Sequence, residues 1–218
     1  MDLRCYGLTS PRYDKKVSVQ FKDLGDFYYE WNIDSLPWDS ASPILPGQNH
    51  ADTLNSKLID AISTHALQGL SNVSPSARNA ALTFLYLYMT LVFDPKHRPA
   101  FNLTARSALP VGAGLGSSAS FSTCTAFALL LILQRVALPS LPTPATSGDP
   151  GHVHISHEGR RALSVETAEE INRWAFVAEK ILHGNPSGVD NSVAVFGGAL
   201  AYTRPGFSKK SGMEQLHG

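Results

Sequence analysis

The chain has 218 residues, 43 % of them hydrophobic, and its 18 Lys and Arg are balanced by 18 Asp and Glu. That is material for one large domain or two small ones with a real core, while zero net charge excludes a broad electrostatic attraction to nucleic acid or anionic lipid. No signal-peptide pattern or bilayer-length apolar run occurs and two cysteines cannot make a disulfide framework, so the expectation is a soluble, cytoplasmic protein with a small-molecule partner.

Leu3 to Leu8 and Lys16 to Phe21, separated by Ser10-Pro11-Arg12, carry Val, Tyr and Cys and read as strands. Asp39 to Gly47 is loop. From Ser56 the rhythm becomes helical, with Leu58, Ile62, His65 and Ala66 leading up to Gly69. Ala77 to Phe93 makes a second, very apolar helix, ended by Asp94-Pro95-Lys96. Phe101 to Ser107 alternates apolar and polar residues at the period of a half-buried strand, and delivers the chain to PVGAGLGSSAS, residues 110–120. A buried helix from Ser117 to about Val136 follows, in which Cys124 reads as an inert buried thiol. Pro139 to Gly159 holds four prolines, three glycines and three histidines without periodicity and is expected as an exposed insertion. His152, His154 and His157 lack a Cys or carboxylate cluster at ligand spacing, which favours a solvated loop over a metal tract. Thr167-Ala168-Glu169-Glu170 has capping-box spacing and opens a helix with the stripe Ile171, Trp174, Ala178, Ile181 and Leu182, closed by Gly184. Ser192 to Thr203 reads as a hairpin turning at Gly197-Gly198.

Three stretches carry chemistry. A strand, then Gly112, Gly114 and Gly116, then a helix opening at Ser117-Ser118 is an arrangement that points free backbone N–H groups outward at the positive end of a helix dipole, where phosphate binds. The spacing is neither that of a P-loop nor that of the dinucleotide fingerprint, and the glycines alone leave open a connector that binds nothing. Glu179 falls at the border of its helix's apolar stripe, where its carboxylate could hold a hard cation together with the Ser118 hydroxyl; a flanking glutamate paired with Lys180 or Arg173 is the other reading. Asp190 follows the turn Asn185-Pro186-Ser187-Gly188 and is expected just before a strand, either as a catalytic base or as a cap on the turn. His183 reads as a dipole partner or packed imidazole, not a ligand.

The motif at 110–120 resembles P-x-x-x-G-L-G-S-S-A, the phosphate-binding loop of the small-molecule kinases that include galactokinase, homoserine kinase, mevalonate kinase and phosphomevalonate kinase. INRWAFVAEKILHGNPSGVDNSVAVFGGAL, Ile171 to Leu200, resembles the corresponding stretch of the mevalonate kinases, as do Asp2-Leu3-Arg4 and the helix around Phe84-Leu85-Tyr86-Leu87-Tyr88. The resemblance implies an α+β fold, that of the family's N-terminal domain (ribosomal protein S5 domain 2-like), over residues 1–204, with 205–218 as a tail. It implies ATP held by the backbone of Gly112, Ala113, Gly114, Leu115, Gly116, Ser117 and Ser118, with Ser107 and Asp23 near the nucleotide. It further implies Mg²⁺ on Ser118 and Glu179, and Asp190 as the base that takes the C5 hydroxyl proton of (R)-mevalonate, a step in isoprenoid and sterol precursor synthesis. A homodimer is compatible with it. Relatives carry an Ala-Pro-Gly-Lys strand and a Gly-Glu-His turn ahead of the Asp-Leu-Arg segment, and a third glycine-rich motif in a C-terminal domain; none of these is found here. The expectation is therefore an impaired mevalonate kinase, with an inactive nucleotide-binding half-site or a related homoserine or sugar kinase as alternatives.

Overall fold

The computed structural model describes residues 4–42, 54–92, 94–137, 163–197, 199–203 and 212–216. Four strands form one sheet: β1 (Cys5–Pro11), β2 (Lys16–Phe21), β3 (Phe27–Asn32) and β4 (Phe101–Ser107), in the order β1-β4-β2-β3. β4 runs antiparallel to β1, with Cys5 opposite Ser107, and parallel to β2, with Val19 opposite Leu103. The parallel pairing needs a crossover, which the helices between residues 56 and 91 supply. β1 and β3 frame the sheet; β3 received no assignment from the sequence, because its run of Phe27, Tyr28, Tyr29 and Trp31 does not alternate cleanly.

One sheet face is apolar: Val17, Val19, Phe21, Phe27, Trp31, Phe101, Leu103 and Ala105 are buried there. Against it packs α2 (Pro75–Leu91), preceded by the short α1 (Ser56–Ala61), which continues as a widened turn over Ile62–Ala66 and stops short of the expected end at Gly69. Ser74 caps α2 by accepting the Ala77 N–H at 3.2 Å, with Pro75 in the first turn where its missing N–H costs nothing. From Ala80 to Leu91 all but one residue is buried, so beyond its exposed first turn this helix has no solvent face and forms the centre of the core. Its Phe84 and Tyr88 stack on each other and meet Phe101 edge-on, and the Tyr88 hydroxyl is satisfied by the Pro99 carbonyl at 2.9 Å.

α3 (Ser117–Ile132) and α4 (Val165–His183) pack on each other, with α3 also against β1 and α4 against α2. α4 opens earlier than its sequence suggests: Ser164, not Thr167, is the cap, and its Oγ accepts the Thr167 N–H at 3.2 Å. The expected hairpin over Ser192–Thr203 is corrected. Residues Val189–Phe196 are helix α5, β5 starts only at Ala199, and its antiparallel partner is β6 (Gly212–Leu216), in the stretch expected as tail. Val193, Val195 and Phe196 favour a strand locally, but α5 gains contacts with both α3 and α4. Residues 1–3, 43–47 of the expected loop and the whole insertion at 139–159, with its three histidines, lie outside the described residues.

Candidate active site

The loop between β4 and α3 begins with two anchors: Ala108 N–H bonds the Arg4 carbonyl at 2.8 Å, and Leu109 N–H bonds Ser107 Oγ at 3.0 Å. Beyond them Gly112, Gly114 and Gly116 have φ of +76°, +71° and +72°, and the residues between them do not. Alternating φ signs turn successive N–H groups toward one side and make a concave site for an anion. A Cβ built at any of the three would meet nothing within 4 Å, so backbone conformation, not crowding, is what calls for glycine. Gly116 caps α3 without a side chain. Among the described residues no acceptor meets the N–H groups of 112–119, whereas Ser120 N–H is already bonded to Gly116 C=O at 2.9 Å.

Glu179 comes to this loop from α4. It is only 4 % exposed, and the expected surface pairing is not the one formed: Arg173 bonds Glu170 at 3.2 Å and the Lys180 Nζ sits over the Phe176 ring. Ser122 Oγ donates to Glu179 Oε1 at 2.8 Å and Ser118 Oγ to Oε2 at 3.3 Å. His183 Nε2 lies 3.0 Å from Ser118 Oγ and 3.8 Å from Glu179 Oε2. The four residues meet because Ser118 and Ser122 are one turn apart on α3, as are Glu179 and His183 on α4. Two hard oxygens, Ser118 Oγ and Glu179 Oε2, are thus side by side on the cavity wall, a donor pair suited to Mg²⁺. Among the described residues no cluster of three or more His, Cys, Asp or Glu could hold a metal alone. A cation here would complete its shell with water and ligand oxygens.

Asp190 lies in the first turn of α5, after Gly188 at φ +80°. It does not cap the turn: the Val189 N–H is met by Ser187 Oγ at 3.3 Å, and among the described residues the Asp190 carboxylate accepts no hydrogen bond. α5 is instead pinned to α4 by the buried Asn191, whose Nδ2 donates to Asn172 Oδ1 at 2.6 Å, and is closed on itself by Ser192 Oγ to Gly188 C=O at 2.7 Å. One cavity of about 600 Å³ takes in Ser107, the three glycines, Ser117, Ser118, Glu179 and Asp190. Ala113 and Leu115 do not line it. Asp23 does, and its Oδ2 accepts the Ser107 N–H. Ser122 is the residue that sequence reasoning passed over, and His183 was read there only as a dipole partner or packed imidazole; their i, i+4 relation to Ser118 and Glu179 was the available signal.

The family model described as GHMP kinases N terminal domain matches residues 79–141, which take in most of α2, with β4, the glycine loop and α3. Residues 79–141 are thus similar to the N-terminal domain of the GHMP kinases. Around that match the likeness to single proteins runs nearly the whole chain. The mevalonate kinase of Aspergillus fumigatus is 37 % identical over 96 % of this chain and 37 % of its own length. That of Candida albicans is 37 % identical over 94 % of the chain and 44 % of its length, and the human one 34 % over 93 % and 46 %. The chain therefore spans less than half the length of each of these relatives. In three dimensions it matches the crystal structure of Methanococcus jannaschii mevalonate kinase with a TM-score of 0.52, at 16 % identity, over all of this chain and 47 % of the other; this is a likeness of fold. Among the described residues no helix is long and apolar enough to cross a membrane.

Proposed function

We propose that this chain is the nucleotide-binding part of a mevalonate kinase, which transfers the γ-phosphoryl group of ATP to the C5 hydroxyl of (R)-mevalonate. The observation that carries the reading is the convergence of the glycine-loop backbone, the Ser118–Glu179 oxygen pair and Asp190 on one cavity. The N–H groups of 112–118 and the dipole of α3 hold the phosphates, with Ser107 and Asp23 beside the nucleotide. Ser118 and Glu179 would hold Mg²⁺, which when bound would offset the charge of the phosphates. Ser122 keeps the Glu179 carboxylate turned toward the loop. Asp190 accepts the C5 hydroxyl proton as that oxygen attacks the γ-phosphorus and the bond to the ADP oxygen breaks. A nucleotide-binding domain ending near residue 204, a cytoplasmic location and a homodimer belong to the same reading.

Two measurements on the purified chain test it: calorimetric titration with MgATP, and formation of 5-phosphomevalonate from (R)-mevalonate by mass spectrometry. Saturable MgATP binding together with weak turnover that Asp190→Asn lowers further is the expected result. Saturable MgATP binding without turnover supports only a nucleotide half-site. Absence of MgATP binding sinks both.

A further inference from the structure

The two cysteines meet where β1 crosses α3. Cys5 and Gly7 share the helix-facing side of β1, while Tyr6 and Leu8 point outward and are more than half exposed. Gly7 makes room for the contact, since a Cβ there would lie 2.8 Å from Cys124 Sγ, closer than real contacts allow. Cys5, two residues earlier on the same side, is thereby brought beside the Cys124 sulfur, and the two thiols perturb each other. Both thiols are free and only partly buried, and Cys5 forms part of the cavity wall, so small solutes can reach the pair.

We propose that Cys5 and Cys124 are a redox-active thiol pair, converted by peroxide-class oxidants into an intramolecular disulfide that ties the edge strand β1 to α3. The neighbouring Cys5 pushes the Cys124 thiol down, while Cys124 and burial push the Cys5 thiol up, so Cys124 ionises first. Its thiolate attacks one peroxide oxygen; an S–O bond forms, the O–O bond breaks, and the departing hydroxide leaves as water. Cys5 then loses its proton and attacks the sulfenic sulfur of Cys124; an S–S bond forms, the S–O bond breaks, and a second water leaves. Two thiols are oxidised by two electrons and one peroxide is reduced to two waters. The site is independent of the phosphoryl-transfer reading, because nothing in the exchange uses Ser118, Glu179 or Asp190.

The test is to reduce the 218-residue chain, remove the reductant, add hydrogen peroxide, and follow intact mass and the non-reduced peptide map. The expected result is a loss of about 2 Da, one peptide pair joining Cys5 to Cys124, reversal by dithiothreitol, and faster formation in the folded chain than in urea. In Cys5→Ser a sulfenic acid should persist on Cys124 and be captured by a 1,3-diketone reagent. The wild-type chain decides the matter even if a serine variant fails to fold. A gain of about 16 Da or more on either cysteine without a cross-link, a link between chains in place of one within a chain, or no faster linking when folded than in urea overturns the proposal.

Discussion

Two glutamates in this molecule are treated in opposite ways. Glu30, on the open face of the sheet, is met by the Lys16 ammonium, by Arg12 at 2.9 Å and by the Tyr28 hydroxyl at 3.0 Å. Lys16 first, then Tyr28 and Arg12, pull its carboxyl down to about 2. Arg12 ties the patch together, reaching Ser18 Oγ at 2.8 Å as well, and Ser18 in turn donates to Asn102 Oδ1 at 2.9 Å, which joins β2 to β4. Glu179 is far more buried, yet its partners are two serine hydroxyls and an imidazole. A carboxylate surrounded by guanidinium and ammonium groups has its charge balanced and stitches strands together. A buried carboxylate held mainly by hydroxyls keeps charge to offer, and burial at that expense is a mark of a site more than of a scaffold. The same residue type thus serves the sheet in one region and the proposed chemistry in the other, and the identity of its neighbours makes the difference.

The contrast can be broken at its strongest point by Glu179→Gln, which keeps the shape and removes the charge. MgATP affinity is expected to fall about 100-fold or more in a calorimetric titration, with the urea midpoint nearly unchanged; equal affinity in both chains would return Glu179 to a structural role. Ser122→Ala leaves the carboxylate in place but frees its orientation, and a loss of about tenfold in the same titration is expected. Gly114→Ala places a Cβ on a residue at φ +71°. Loop strain of about 1 kcal/mol should appear as weaker binding of inorganic triphosphate, with little change in global stability, because the loop is exposed. The smallest effect belongs to Glu30. A carboxyl lowered in the folded state contributes stability at pH above its ordinary value near 4.5, and that contribution is lost as pH falls from there toward about 2. Urea midpoints for wild type and Glu30→Gln should therefore converge across that acid window and differ modestly above it, while MgATP affinity stays the same. A pH-independent difference would mean that packing, not charge, ties Glu30 to the sheet.

Much of the framework was legible from local pattern. Phe101–Ser107 was placed residue for residue because a half-buried strand writes its two faces in alternation, and the start of α3 at Ser117 because the glycine-rich loop gives way there to a long apolar run without glycine or proline. The α4 stripe was read correctly at Ile171, Trp174 and Ala178, and with it the border position of Glu179. Local pattern misled at Val189–Phe196, where β-branched residues were outweighed by packing on two helices, although Asp190 in the first turn and Gly197 after the last were helix signals in plain view.

By itself the sequence determined the strand, the loop and the helices α3 and α4 that flank the cavity, since backbone conformation there depends on side chains only a few positions away. Tertiary structure alone decided the strand order β1-β4-β2-β3, the meeting of Ser118 and Ser122 with Glu179 and His183, and that of Cys5 with Cys124. The serines lie 57 and 61 residues from the glutamate in the chain. No local periodicity reports on such pairs, because their proximity comes from helices burying apolar faces against each other and against the sheet.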